Sequence, residues 1–349
     1  MLMTDILKEV GRGKRGARDL TYEEAREAAS AIFNGDASQA QIGAFLMAQR
    51  MKMESVDELK AFVDVLRSSA VRSPVSEGLD CAGPYDGRTT TFMATLATAF
   101  LLASAGLPTT LHGTAPLPPK WGVTLPDVLH EMGVDTTKAP ERLASSELPL
   151  EYDGVKFVSA EASCPPLGQL RPIREELGLR TILNTAEKLI DYSESPYLVF
   201  GVFHNTVFDR MAQLIQRLDY RKALIVQGPQ GSEDLYIDRP TRTYLVEGGE
   251  AKLHVIDPEA YGLDTPLPHA KDTVWSASDQ LQVTEQVLRG EAHPAFVNQV
   301  VLSGAVRLEL TGRVDSVEEG IYTCKALLDS GKPWHLYCHW RGAALAVRC

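Results

Sequence analysis

The chain is poor in cysteine and has no two cysteines close together. Its five (Cys81, Cys164, Cys324, Cys338 and Cys349) are odd in number and scattered, without a Cys-x-x-Cys pair. That excludes a zinc ribbon and a disulfide framework, and reduced thiols in a cytoplasmic protein are the expectation. Long apolar runs are also missing. The most apolar stretch, residues 91–105, is interrupted by polar residues, so no membrane span is expected. The opening residues, MLMTDILKEVGRGKRG, hold no apolar core of a signal peptide. Positive charge is in deficit. Lys and Arg number 35 against 46 Asp and Glu, a net charge of −11, which argues against a globally basic nucleic-acid binder but leaves a local patch open.

What is present is an ordinary globular composition, 44% apolar and 23% charged, over 349 residues, enough for two domains or one large one. Residues 1–74 read as helices. LTYEEAREAASAIFNGD carries a capping box at Thr21 and Glu24, Ser38 caps SQAQIGAFLMAQRMKM, and Ser55 caps VDELKAFVDVLRSSA. Ala40, Ala44 and Ala48 form a small-residue stripe that suits either close helix packing or a dimer interface. Ser73-Pro74 to Gly78 is the predicted domain boundary. Beyond it strands and helices alternate, which implies an α/β domain with helices on both faces of a sheet. The predicted elements include strands at 79–82, 107–113, 154–159, 197–202 and 222–227, and a hairpin at 241–247 and 252–256. Helices are predicted at 91–105, 126–133, 173–178, 206–218, 279–289, 294–310 and 316–329, the last clear one. Ser163-Cys164-Pro165-Pro166 reads as a loop.

The stretch 80–113, DCAGPYDGRTTTFMATLATAFLLASAGLPTTLHG, is the centre of this pattern. A Gly-containing loop, Ala82 to Gly87, feeds a helix that is apolar or small on nearly every face, hence buried. A turn entering a helix collects backbone N–H groups suited to an anion. Asp86, Gly87 and His112 are placed at its mouth. Asp86-Gly87 also reads as a plain turn pair, and His112 as a core histidine.

With these segments in view, the chain resembles anthranilate phosphoribosyltransferase and its glycosyltransferase relatives along nearly its whole length. The helical segment from Leu20, REELGLRTILN at 174–184, GSEDL at 231–235 and RVDSVEEGIYTCKALLDSGK carry the resemblance. It implies α plus α/β architecture: a helical, dimerising domain over 1–74, joined by residues near 168–190, and an α/β domain over 75–349. The active site would lie in the cleft between them. The implied reaction, of the tryptophan-biosynthesis kind, displaces pyrophosphate from phosphoribosyl pyrophosphate (PRPP) by an amine, with magnesium.

The resemblance assigns Gly83, Asp86, Gly87, Thr95, His112 and Gly113 to a phosphorylated ligand, and Arg88 and Lys120 are candidates to supply phosphate charge in place of the family's missing cations. Arg174 falls to the acceptor, as a planar bidentate donor, with a helix-surface ion pair as the plain alternative. Glu233 and Asp234 fall to the metal, with Thr95 nearby, against the plain reading of a solvated acidic loop. Lys120 and Trp121 sit in a proline-stiffened loop; Trp121 offers a stacking face or packs on the core.

The departures lie where pyrophosphate would bind. The family's Gly-Thr-Gly-Gly-Asp-Gly is Ala82-Gly83-Pro84-Tyr85-Asp86-Gly87 here. Pro84 removes an amide and Tyr85 adds bulk. Met93, Leu111 and Ala115 stand where the family has Asn, Lys and Arg. The chain therefore reads as a divergent paralogue with the scaffold kept and the PRPP-binding parts rewritten. The alternative is a non-catalytic nucleic-acid-binding paralogue, using the glycine-spaced run Lys8, Arg12, Lys14, Arg15 and Arg18 together with Lys120, Arg171 and Arg174.

Overall fold

The computed structural model describes residues 2–13, 15–137 and 154–346. It opens with four helices, α1 (Met3–Val10), α2 (Tyr22–Phe33), α3 (Gln39–Lys52) and α4 (Val56–Ser69). The first ends at Val10, ahead of the glycines of the basic run: Met3, Ile6 and Val10 recur at helical spacing and are buried. The next three start at the capping boxes of Thr21, Ser38 and Ser55. Ala40 and Ala44 are exposed and Ala48 is half-buried, so the small-residue stripe lies on the outer face of α3.

The cap of α4 also organises the core of this bundle. Glu58 is fully buried and accepts from Leu20 N at 2.9 Å, Gln49 Nε2 at 2.9 Å, Ser55 N at 2.8 Å and Lys52 Nζ at 2.5 Å. One carboxylate thus ties the entry to α2, the end of α3 and the start of α4.

The larger part follows as β1 (Leu79–Ala82), α5 (Ala94–Ser104), β2 (Thr109–Gly113), α6 (Leu125–Glu131), β3 (Val155–Ser159), α7 (Ala160–Ser163), α8 (Pro165–Leu177), α9 (Leu183–Ala186), β4 (Tyr197–Gly201), α10 (Phe208–Ile215), β5 (Lys222–Val226), β6 (Thr241–Glu247), β7 (Glu250–Ile256), α11 (Ala277–Arg289), α12 (Pro294–Leu310), α13 (Val317–Asp329) and α14 (Lys332–Ala346). The sheet order is β3-β2-β1-β4-β5-β6-β7. The first five strands are parallel and the last two form the antiparallel hairpin. Side chains alternate between two cores. Leu79, Cys81, Val199 and Leu224 face α5 and α11–α14, while Ala82, Leu198, Phe200 and Ile225 face α8–α10 and the helical bundle. The chain order reverses between β1 and β4, so a crevice opens at their carboxyl ends.

Three sequence expectations are corrected. α5 begins at Ala94 rather than Thr91, because Gln280 claims the backbone ahead of it: Met93 N donates to its Oε1 at 2.7 Å and its Nε2 donates to Thr91 O at 2.9 Å. The Ser163–Pro166 loop is the junction of α7 and α8, with prolines in a first turn whose N–H groups have no helical partner to lose. The helix beyond 329 has no signal in the sequence: α14 has no apolar stripe, yet Tyr337 and Trp340 are buried edge-on against Phe100 of α5. The segment between the two parts is hydrogen-bonded to the larger one, with Val71 N on Ser163 O, Ser73 N on Tyr192 O and Val75 N on Ser193 O.

No helix among the described residues is long and apolar enough to cross a membrane. Because a buried charge pair broken on one side strands the other, Glu58→Ala is expected to destabilise the protein by about 3–5 kcal/mol. Equilibrium urea unfolding, compared with the exposed control Glu23→Ala, checks this.

Candidate functional site in the interdomain cleft

The site sits at the carboxyl ends of β1, β2, β4 and β5. The loop after β1 turns sharply at Gly87, whose φ is +75° and where a Cβ would lie 2.3 Å from Gly122 O, so only glycine lets the two loops meet. Arg88 then pairs its backbone with Val123. This brings Asp86 under the 117–122 loop. Asp86 is buried and lies between two cations, Lys120 Nζ at 3.0 Å and the Arg180 guanidinium. Lys120 also donates to Gln230 O at 2.9 Å. Burial holds the Lys120 pKa below the ordinary lysine value, and Asp86 opposes that shift. Trp121, beside it, is 51% exposed and does not pack on the core.

A cleft of about 410 Å³ opens outward from Asp86. It is walled by Arg50 and Glu54 of the helical part, Arg180 and Lys188, the β4 end from Phe200 to His204, Arg210 and Gln230. Four cations (Arg50, Arg180, Lys188, Arg210) thus face two carboxylates (Glu54, Asp86). Pro84 and Tyr85 separate this cleft from an inner cavity of about 20 Å³, room for about one water. Gly83, Arg88, Thr95, His112, Gly113 and Glu233 line the inner cavity.

Within it, polar atoms are left over. Glu233 Oε2 and Thr95 Oγ1 are buried and have no hydrogen-bond partner. The Glu233 carboxylate rests against Gly83, where a Cβ would come within 2.6 Å of Oε2. His112 Nδ1 lies 2.6 Å from the Tyr85 hydroxyl, and its Nε2 faces Asp80 Oδ1 at 3.1 Å without a hydrogen bond.

The two residues read as a metal pair have separate fates. Asp234 is fully buried between Arg88 Nη2 at 2.5 Å and Arg307 Nη2 at 3.5 Å. Arg88 is therefore committed to Asp234 and to Phe92 O and is not free for a ligand phosphate. Among the described residues no cluster of three or more acidic, His or Cys side chains is placed to hold a metal. Arg174 lines neither cavity. It is buried in a bidentate pair with Glu187 at 2.6 and 2.8 Å, behind Tyr85, whose hydroxyl lies 3.5 Å from Glu187 O. The partner is a buried carboxylate on another element, not a helix-surface neighbour. Arg171 is likewise occupied, by Glu161, Glu175 and the 114–116 loop.

The N-terminal cations are matched by their own carboxylates. Lys8 pairs with Asp5, Arg12 with Glu9, and Arg18 with Glu9 and Glu24. Lys14 lies outside the described residues, and Arg15 is exposed.

Several cleft residues were not picked out from sequence. Arg180 stands in the same REELGLRTILN segment as Arg174, and is the arginine that reaches Asp86. Lys188 and Arg210 carry no motif. Gln230 was hidden in a Gly-rich loop, where it adopts φ +54°. Its Oε1 accepts from Thr89 N and Thr90 N, which fastens the β5 loop to the segment before α5.

Comparison with known proteins agrees with the two-part architecture. The glycosyl transferase family helical bundle domain matches residues 4–70, and the glycosyl transferase family a/b domain matches residues 80–334. The chain is 30% identical to the anthranilate phosphoribosyltransferase of Desulfitobacterium hafniense strain Y51 over 317 residues, covering 90% of this chain and 92% of the relative. The Persephonella marina anthranilate phosphoribosyltransferase is 28% identical, covering 95% and 97%. In fold the chain is similar to the anthranilate phosphoribosyltransferase of Thermus thermophilus, with a TM-score of 0.81 at 24% identity over 97% of this chain and 99% of that one. The Saccharomyces cerevisiae enzyme in complex with PRPP and Mg also scores 0.81, at 17% identity over 99% and 98%. Matched in both domains and aligned with these relatives nearly end to end, the chain belongs to the glycosyl transferase family, as an anthranilate phosphoribosyltransferase-like member.

Proposed function

We propose that the cleft binds a phosphorylated small molecule of the PRPP class, with magnesium, and that transfer to anthranilate is slight or absent. The observation that carries this reading is the excess of cations over carboxylates in a 410 Å³ cleft at the carboxyl ends of β1 and β4. Relatives named as anthranilate phosphoribosyltransferases and the yeast structure with PRPP and Mg support the ligand class.

The residues present fit a magnesium ion in part. Glu233 and Thr95 offer two buried, unpartnered oxygens at one small cavity; Asp234, whose Oδ1 also lacks a hydrogen bond, does not line that cavity and has its charge balanced by two arginines. Glu233 and Thr95 would hold the ion, which when bound supplies charge neutralisation to a diphosphate. The protein's own part is electrostatic. Arg180 and Lys120 share Asp86, which leaves net positive charge at the inner end of the cleft.

The case against brisk transfer is equally local. The β1 loop lacks an amide at Pro84, Tyr85 fills the passage to the inner cavity, and Met93 and Leu111 are buried apolar side chains. Arg174 is occupied by Glu187 rather than turned to an acceptor.

Three outcomes are expected. In titration calorimetry PRPP with Mg²⁺ binds saturably, while a product assay with anthranilate stays near background; fast turnover would overturn the second half, and absence of binding the first. Arg180→Ala, which removes one of the two cations that balance Asp86, weakens PRPP binding by about tenfold, through about 1.4 kcal/mol of lost electrostatic attraction at the cleft. Glu233→Gln keeps the thermal midpoint within a few degrees but makes PRPP affinity insensitive to Mg²⁺, measured by titrating with and without the metal.

A further inference from the structure

We infer that Lys188 is the specificity-determining cation of the cleft, the residue that meets a ligand phosphate. This rests on the reading of the cleft as a site for a phosphorylated molecule. Three of the other cations near it are paired with carboxylates. Arg180 and Lys120 share Asp86. Arg210 lies 3.9 Å from Glu54 Oε2 and donates to Glu54 O at 2.9 Å. Arg50 is exposed and donates to Arg180 O at 2.5 Å. Lys188 is the buried one, and among the described residues no carboxylate lies within ion-pair distance of it.

Its surroundings hold it at the cleft wall. Nζ sits 4.0 Å from the centre of the Phe200 ring and donates to Gly201 O at 2.7 Å. Both of those residues line the cleft, as does Lys188 itself. An ammonium has three N–H donors, and the carbonyl takes one. The aromatic face stabilises the charge without neutralising it. A phosphate oxygen in the cleft would satisfy the remaining donors, whereas a neutral sugar or amine would leave the charge uncompensated.

The electrostatics point the same way. Burial is the largest influence and pushes the Lys188 pKa down to about 8. Glu233 from the β5 loop, Asp86 from the β1 loop and Glu187 beside it favour the charged form, and Arg180 opposes it. Glu54, Arg50, Arg210, His204 and Tyr85 complete the titratable and charged groups around the cleft. An anion placed against Nζ adds a favourable partner for the charged form, so the pKa rises on binding. Affinity is therefore full below about pH 8 and falls as the pH climbs through that value. Between pH 7 and pH 9 the loss approaches about tenfold, the change in the protonated fraction of a group with a pKa near 8. Near and above pH 8 binding takes up a proton.

The test is calorimetric titration of PRPP with Mg²⁺ at pH 7, 8 and 9 into wild type, Lys188→Arg and Lys188→Met. Comparison at each pH cancels the ionisation of the ligand itself. Wild type is expected to weaken about tenfold relative to Lys188→Arg across this range, because arginine keeps its charge. Lys188→Met should bind at least tenfold more weakly than wild type at pH 7. A measurement on wild type alone needs no variant to fold: titrations at pH 8.5 in two buffers of different ionisation enthalpy should show proton uptake. Saturable binding with no proton uptake, or with wild type and Lys188→Arg moving in parallel, overturns the role of Lys188 and leaves the cleft reading standing. No saturable binding by wild type at any pH removes both.

Discussion

A buried charge needs a counter-charge, and the loops around the cleft are assembled on that requirement. Asp234 at the end of the β5 loop is fully buried, and two arginines reach it from different parts of the chain: Arg88 after the β1 loop and Arg307 on α12. Either arginine left without the carboxylate would be an unpaired charge in the interior. The β1 loop, the β5 loop and α12 therefore stay in register with one another. The Gln230 clamp on Thr89 and Thr90 repeats the same connection with neutral groups. The cleft wall is rigid because both of its loops are fastened underneath.

That arrangement has a chemical consequence. A carboxylate neutralised by two guanidiniums has little left to offer a metal ion, so the acidic pair at 233–234 works as one structural residue and one available one. Glu233 keeps a buried oxygen without a partner, and Gly83 leaves the space for it. The chain has moved charge elsewhere: Arg180, Lys188 and Arg210 come to the cleft from segments that bear no phosphate-binding signature. Tyr85 closes the inner cavity with its hydroxyl on His112, and His112 in turn faces Asp80. What would be an open, glycine-lined approach is here a hydrogen-bonded wall.

Much of the architecture was legible in the amino-acid sequence, because it rests on local signals. Capping boxes at Thr21, Ser38 and Ser55 mark three helix starts, the all-round apolar pattern of 94–104 marks a buried helix, and Gly248-Gly249 marks the hairpin. Their order specifies a helical part followed by an α/β part. Local pattern also put Asp86 in the loop before the buried helix and His112 near the end of the next strand; Gly83, Thr95 and Glu233 were singled out through the family resemblance, not by local signals.

Partnership was beyond its reach. Whether Arg174 or Arg180 turns toward the cleft depends on the position of Glu187 and Asp86 across the interdomain gap, 13 residues away in one case and 94 in the other. Whether Arg88 serves a ligand or the interior depends on Asp234, brought beside it because β5 lies two strands from β1 in the sheet. Three of the N-terminal cations, Lys8, Arg12 and Arg18, look free in sequence and are matched by Asp5, Glu9 and Glu24 once α1 and α2 have formed. Periodicity and caps act over a few residues and so are written in the chain itself. Charge compensation acts through space, so only the folded arrangement decides which charges are spent on structure and which remain for a ligand.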